Sequence, residues 1–152
     1  MFSLLPRTVP TLLTGALVTG MTLPAVPTPY LLGALSLLLG MSLAYLLVYL
    51  INIAGLWLVE VRGLQVAYMV VGGFFSGLYL PVALFPEWLQ AVAYATPFPS
   101  ILMTPIEVFS GRVGDSASLV LIAQQVGWVA LAWLAGALLT RAGRRHLEVQ
   151  GG

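Results

Sequence analysis

Long stretches without charge, separated by short polar boundaries, are the main pattern along this chain. Residues 8–59 carry no charged side chain, and the runs 63–86, 88–106 and 116–140 are also free of charge. An apolar run of about 20 residues is long enough to cross the hydrocarbon core of a bilayer as a helix. The pattern therefore predicts a chain built largely from membrane-spanning helices.

Composition points to the same class of protein. The chain is 60% hydrophobic and only 7% charged, whereas about a quarter of the residues of a soluble domain are charged. A chain so poor in charge cannot cover a core with a wetted surface, so we expect an all-α integral membrane protein. The net charge of +1 gives no basic surface for a nucleic acid, and we expect no such partner.

Prolines and charges divide the apolar runs into four predicted spans. The first run breaks at the proline-rich residues 23–30, because a helix interior does not accommodate several prolines. Glu60 and Arg62 mark a second boundary, and Asp115 precedes the last run. The N-terminus resembles a signal peptide but lacks a convincing cleavage site, so we expect a retained span. The predicted spans lie near residues 9–24, 30–56, 62–81 and 116–140.

Residues 82–112, which we call the hairpin segment, decide the topology. The charge-free part, 88–106, is nominally long enough to cross the membrane. Pro97, Pro99 and Pro105 argue against a straight helix through it. Three readings are therefore open: an ordinary loop, another crossing, or a pair of short helices that enters the membrane and turns back.

The arginines favour the third reading. If the hairpin segment does not cross, the chain has four spans, both termini share one side, and five arginines face the cytoplasm, which agrees with the positive-inside rule. If it crosses, the arginines split evenly. We therefore predict about four transmembrane helices, a re-entrant helical hairpin on the outer side and a cytoplasmic tail at 141–152. The five arginines are Arg7, Arg62, Arg141, Arg144 and Arg145, and Arg112 lies opposite.

Small residues suggest where helices approach each other. Gly73 and Gly77 form a GxxxG motif in the third predicted span, which permits close helix packing but is also common by chance in apolar helices. Ala132, Gly136 and Thr140 form a similar stripe on the last span. We predict Gly73 and Gly77 as helix-packing residues, with ordinary filling of space as the alternative.

Catalytic and metal-binding patterns are missing from the sequence. It contains no cysteine and no lysine, which excludes thiolate chemistry and the lysine-containing phosphate loop. His146 stands alone in a basic tail, without companions for a metal site. We therefore expect neither an enzyme nor a cofactor, and any ATP must be bound by another polypeptide.

An ordered set of aromatic, proline and glycine residues runs from the third span to the basic tail. The set comprises Phe74 to Gly77, Pro81, Phe85, Pro86, Trp88, Leu89, Pro97, Phe98, Pro105, Gly111 and the tail from Arg144 to Gly152. In this order it resembles the C-terminal half of an ABC-2 type exporter permease, over roughly residues 30–152.

The resemblance implies a function and partners. Members of that family have six spans and a re-entrant outer hairpin before the sixth, so the four spans here would be the last four. We accordingly expect a fragment, a truncated product or one piece of a split permease. The implied partners are an ABC ATPase subunit, a second permease subunit in a homo- or heterodimer, and the lipid bilayer of the plasma membrane. The implied lid residues are Pro81, Phe85, Pro86, Trp88, Pro97, Phe98 and Pro105.

A second hypothesis remains open at this point. A membrane protein that lacks two of six spans could scaffold or assemble partners without transporting anything. A neighbouring gene for a nucleotide-binding domain would favour the exporter, and its absence would favour the scaffold. The apolar lining does not identify a substrate.

Overall fold

The computed structural model describes the backbone of residues 27–58 and 60–150, with side chains up to residue 143. This part of the chain is helical and contains no strand. Five α-helices follow one another, with two short 3₁₀ turns between them. They are α1 (Thr28–Ile53), α2 (Arg62–Phe75), α3 (Glu87–Tyr94), α4 (Met103–Phe109) and α5 (Asp115–Gln150), and the 3₁₀ turns are Ala54–Leu56 and Val82–Leu84.

Two of these helices, α1 and α5, are long and apolar enough to cross a membrane. α1 carries no charge and has a proline in its first turn, where the missing N–H costs nothing. With the following 3₁₀ turn it covers the predicted second span. α5 begins at Asp115, an acid that suits the positive end of the helix dipole. It continues past the predicted span end at residue 140 to Gln150. The predicted first span lies outside the described residues.

α1 and α5 pack together and run in the same direction. Ser36 of α1 bonds Gln125 of α5, and further along both helices Tyr49 bonds Thr140. From the first bond to the second, the residue numbers rise in both helices. This order is possible only if the two helices are parallel. Since parallel helices begin at the same end, the chain between them must return over their length.

α2 begins this return and ends early. Gln65 near its start bonds Asn52 near the end of α1, at 2.9 Å, so α2 begins beside the end of α1. The third span was predicted to extend to residue 81, but the helix ends at Phe75. The amides of Gly77 and Leu78 bond the carbonyls of Phe74 and Gly73, and Gly77 has φ +84°. This is a Schellman motif, in which a left-handed glycine terminates the helix.

The hairpin segment contains the predicted pair of short helices, α3 and α4. Pro86 precedes α3 and Leu102 precedes α4. α4 runs antiparallel to α1, because Ile101 lies against Gly40 and Phe109 lies against Gly33. At 1.5 Å per residue, Gly40 is about 18 Å from the first residue of α1. The segment therefore reaches to near the middle of α1 and turns back beside it.

Candidate functional site

The contact between α1 and α4 is close enough to exclude any side chain at two positions of α1. A Cβ at Gly33 would lie 2.8 Å from the Cα of Phe109, and one at Gly40 would lie 2.7 Å from the carbonyl oxygen of Ile101. Both obstacles are backbone atoms, which cannot move aside as a flexible side chain can. The glycines therefore set how closely the hairpin segment approaches α1. Tyr30 adds an edge-to-face contact with Phe109, at 5.6 Å between ring centroids.

A buried polar junction, which we call the Gln125 junction, ties three elements together. The Ser36 hydroxyl donates to Gln125 Oε1 at 2.8 Å. Gln125 Nε2 donates to the carbonyl oxygens of Ser36, at 3.1 Å, and of Ser100, at 2.7 Å. The side chains of Ser36 and Gln125 are fully buried, and Ser100 is 3% exposed. α1, α5 and the turn before α4 are thus joined through one amide whose polar atoms are all used.

Such a junction has a clear physical effect. A glutamine inside an apolar helix bundle has no water to bond, so leaving its amide unpaired would cost free energy. Hydrogen bonds between helices in membranes are worth about 0.6 kcal/mol on average and at most about 1.7 kcal/mol. The junction therefore favours one position of the hairpin segment without making its displacement prohibitive.

Aromatic rings hold the other side of the hairpin segment against α2. Phe85 stacks on Phe74 with ring centroids 4.8 Å apart. Phe98 lies 6.5 Å from Phe75 and 6.0 Å from Tyr68, again between centroids. Two of the predicted lid residues, Phe85 and Phe98, thus meet α2 around Phe75.

The other predicted lid residues are dispersed. Pro81 and Pro86 are exposed and precede the 3₁₀ turn at Val82–Leu84 and α3, respectively. Trp88 is 68% exposed, and Pro97 is half-buried in the turn after α3. Pro105 is buried in the first turn of α4 against Gly40. The structure therefore brings Phe85, Phe98 and Pro105 into the packing of the hairpin segment and leaves Trp88 at the surface.

The two glycines of the GxxxG motif have different surroundings. A Cβ at Gly73 would meet the ring of Tyr79, at 2.6 Å, which belongs to the turn after the same helix. Gly77 lies beyond the end of α2, near Met103 and Val82. In the described chain Gly77 terminates α2, and a packing role for the pair stays a prediction. The stripe on the last span lies in the contact between α1 and α5, where Ala132 and Gly136 are buried.

Glu107 is the acid of α4 and lies half-buried in the hairpin segment. Burial raises the pKa of its carboxyl, and the positive charge of Arg112 partly offsets this. The pKa of Tyr94 is also raised, by burial and by the charge of Glu107. No group of three or more acids, histidines or cysteines suited to a metal ion occurs among the described residues.

Sequence reasoning missed the residues that hold the hairpin segment most closely. Gly33, Ser36 and Gly40 lie on one face of α1 and are all buried, a spacing of three and four that a search for helix faces would find. Gln125 is an amide in the middle of an apolar run, where a polar side chain normally faces the bundle interior. Ser100 offered no signal, because it contributes its backbone carbonyl.

Charges are unequal at the two ends of the helix pair. Arg62 begins α2, close to the end of α1, and Arg141 follows Thr140, which bonds Tyr49 near that same end. Arg112 precedes α5 and so lies at the opposite end. The structure thus gathers Arg62 and Arg141 at one end and leaves Arg112 at the other.

Comparison with known proteins identifies the family. The family model described as "ABC-2 family transporter protein" matches residues 2–151. No curated protein and no solved structure shows a significant match. The match covers nearly the whole chain and agrees with the resemblance seen in the order of prolines and aromatics. The apolar helices fit a membrane component of a transport system. The chain belongs to the ABC-2 family of transporter proteins.

Proposed function

We propose that this chain is a permease subunit, or the C-terminal part of one, of an ABC-type exporter. It forms part of the path along which a substrate crosses the plasma membrane, and a separate ATPase subunit powers the movement. The hairpin segment acts as an external lid over that path. The observation that carries the proposal is the contact of this segment with α1 and α5, within a family of membrane transporters.

The parallel arrangement of α1 and α5 supports a single crossing between them, and with the predicted first span our proposal counts four crossings. Two parallel spans require one return of the chain between them. α2 has 14 residues, which at 1.5 Å per residue is about 21 Å, shorter than the roughly 30 Å hydrocarbon core. In our proposal the irregular residues 76–86 complete the return. Irregular backbone is tolerated at membrane depth where protein surrounds it. Val82 and Phe85 are buried, while Leu78 and Leu84 are exposed, and in our proposal a second subunit covers that exposed side.

The charge distribution supports the orientation. In the proposed topology the end with Arg62 and Arg141 is cytoplasmic, in accord with the positive-inside rule. The hairpin segment then enters from the outer face, as a lid must. Both termini are cytoplasmic in this arrangement.

Partners follow from the family. ABC-2 permeases generally work with an ABC ATPase, and the sequence contains no phosphate-binding loop of its own. A second permease subunit, identical or different, completes the path. Many large apolar side chains of α1 are exposed, among them Leu31 at 72% and Leu38 at 63%, and these surfaces are available to lipid or to a second subunit.

A sidedness experiment tests the topology. The chain has no cysteine, so Glu60→Cys and Gly114→Cys each introduce a single thiol, at exposed positions on opposite ends. A membrane-impermeant maleimide applied to sealed cells is expected to label Gly114→Cys at once and Glu60→Cys only after permeabilisation. Labelling of both from the same side would contradict the proposed crossings.

A second experiment tests the function. A tagged chain is purified from its native membrane, and co-purifying ATPase is identified by mass spectrometry. In the complete system, replacing Pro81 and Pro86 together by alanine is expected to impair export, because the turns that orient α3 lose their rigidity. Gln124→Leu, an exposed position on α5, serves as the control. Normal export by the double variant would contradict the lid role and would leave the permease proposal standing.

The scaffold hypothesis is the alternative. It predicts that the chain co-purifies with membrane partners but with no nucleotide-binding subunit. If no ATPase accompanies the chain under conditions that preserve its other partners, the exporter proposal fails and the scaffold is favoured.

A further inference from the structure

A groove of about 470 Å³ runs between α1 and α5, near the end at which Arg141 lies. It is separate from the hairpin segment and takes no part in the proposed lid. The lining residues that matter here are Tyr45, Tyr49, Trp133, Gly136, Thr140 and Arg141.

At Gly136 the missing side chain lets Tyr49 of α1 lie close against α5. The Tyr49 ring occupies that space, 3.1 Å from the position of a Cβ at Gly136. Thr140 donates to the carbonyl oxygen of Gly136 at 2.6 Å, and its hydroxyl oxygen lies 2.7 Å from that of Tyr49. Since the Thr140 proton is used, Tyr49 donates to Thr140. Both hydroxyls are therefore committed within the protein.

The groove changes from apolar to charged along its length. Trp133 is 64% exposed and Tyr45 72% exposed, and both rings lie toward the middle of the helices. Arg141 is two helical turns further along α5 than Trp133, about 12 Å at 1.5 Å per residue. Among the lining residues, all of them described, Arg141 is the sole charged one. The groove therefore offers a hydrocarbon surface that ends at a single exposed cation.

We propose that this groove binds an anionic phospholipid of the surrounding leaflet. The phosphate meets the guanidinium of Arg141, which matches phosphate oxygens with two parallel N–H donors. An acyl chain lies along Tyr45 and Trp133 toward the middle of the bilayer. The committed hydroxyls of Tyr49 and Thr140 leave recognition of the headgroup to the arginine. This proposal does not depend on whether the chain transports a substrate.

Charge complementarity selects this occupant over the others. A second copy of the chain would bring its own cationic end to Arg141 if the two copies were parallel, and like charges repel. The sequence from Arg141 to Gln150 contains three arginines and one glutamate, so this stretch of the chain is net positive. Basic pockets between transmembrane helices are known to bind anionic lipid headgroups. A net negative headgroup fits this end better than a zwitterionic one.

Native mass spectrometry of the purified chain tests the proposal. The chain is titrated in detergent with phosphatidylglycerol or phosphatidylcholine of the same acyl chains, and retained lipid is counted. We expect the wild type to prefer phosphatidylglycerol roughly fivefold, the value of about one cation near a membrane surface. Arg141→Gln should lose the preference, and Arg112→Gln, at the opposite end, should keep it. Trp133→Ala should reduce retention of both lipids, and its neighbour Leu134→Ala, outside the groove, should not.

Three results would overturn the inference. Equal loss of preference in Arg141→Gln and Arg112→Gln would mean that only overall charge matters. Displacement of phosphatidylglycerol by glycerol 3-phosphate would mean that the groove recognises a phosphate without the lipid. Efficient cross-linking between two copies of Ala137→Cys, unchanged when phosphatidylglycerol is added, would mean that a second copy occupies the groove.

Discussion

The glycines of α1 and those at the end of α2 lie in apolar surroundings and do different things. On α1, Gly33 and Gly40 face backbone atoms of the hairpin segment at distances that exclude a Cβ. On α2, the atoms nearest to a Cβ at Gly73 belong to the side chain of Tyr79, and Gly77 lies past the helix end with a positive φ. The spacing of small residues therefore does not determine their role. What lies opposite decides whether a glycine permits close packing, ends a helix or fills space.

The strongest test of this comparison is Gly40→Ala. The new methyl group would overlap the Ile101 carbonyl, so α4 must move away from α1. Overpacking of this kind costs about 1–3 kcal/mol, and we expect a lower melting temperature in detergent and labelling of Ser100→Cys, which is buried in the wild type. Gly127→Ala on α5, with open space around its Cβ position, is the control and should be neutral or stabilising. Equal melting temperatures for the two variants would contradict the contact.

Gln125→Leu tests whether the Gln125 junction stabilises the hairpin segment in the position that Gly33 and Gly40 make possible. The substitution removes three hydrogen bonds and leaves the Ser100 carbonyl without its amide partner. We expect a loss of about 1–2 kcal/mol and faster hydrogen exchange in residues 95–109. Its neighbour Gln124 is exposed, so Gln124→Leu provides a matched control with the same chemistry. If both variants behave alike, the junction does not stabilise the segment.

Gly77→Ala tests the α2 side of the comparison. An alanine in a left-handed conformation costs about 1 kcal/mol or slightly more, and Gly77→Asn should cost less because asparagine tolerates this region. Gly73→Ala should be nearly neutral, since the Tyr79 ring can rotate away and alanine favours the helix. Thermal unfolding of the three variants gives the order. A larger loss for Gly73→Ala than for Gly77→Ala would instead favour a packing face at Gly73.

Glu107→Gln has the smallest expected effect and concerns the one acid of α4. Because the pKa of Glu107 is raised in the folded chain, the folded state binds its proton more tightly than the unfolded state does. That contribution to stability is complete below the ordinary pKa and is lost as pH rises through the folded pKa. The glutamine variant should therefore melt slightly higher than the wild type at pH 7, with the difference vanishing near pH 4. A difference in melting temperature that is independent of pH would exclude ionisation of the Glu107 carboxyl as its cause.

Much of the secondary structure could be predicted from the sequence. The charge-free runs gave the positions of α1 and α5, and the spacing of prolines indicated short helices in the hairpin segment. The early end of α2 was not predicted, because the same glycine that fits a GxxxG motif also fits a helix terminus. Only the backbone conformation of Gly77 separates the two.

The arrangement of the helices was less accessible. The Gln125 junction joins residues 89 positions apart, and one of its partners is a backbone carbonyl that every residue carries. Gly33 and Gly40 could have been noticed on one face of α1, but their partner segment could not, since the turn before α4 has no pattern that specifies what it packs against. Local patterns predicted elements, and tertiary packing decided their contacts.

The parallel pairing of α1 with α5 also imposes an order on biosynthesis. A ribosome adds about 5–20 residues per second, so α1 leaves it several seconds before Gln125 has been made. During that interval Ser36 has no Gln125 to bond, although the hairpin segment that meets Gly33 and Gly40 is made before α5. A chain interrupted before α5 would leave Ser36 and the Ser100 carbonyl without the amide that joins them, so the hairpin segment is fastened to α1 only once Gln125 has been made.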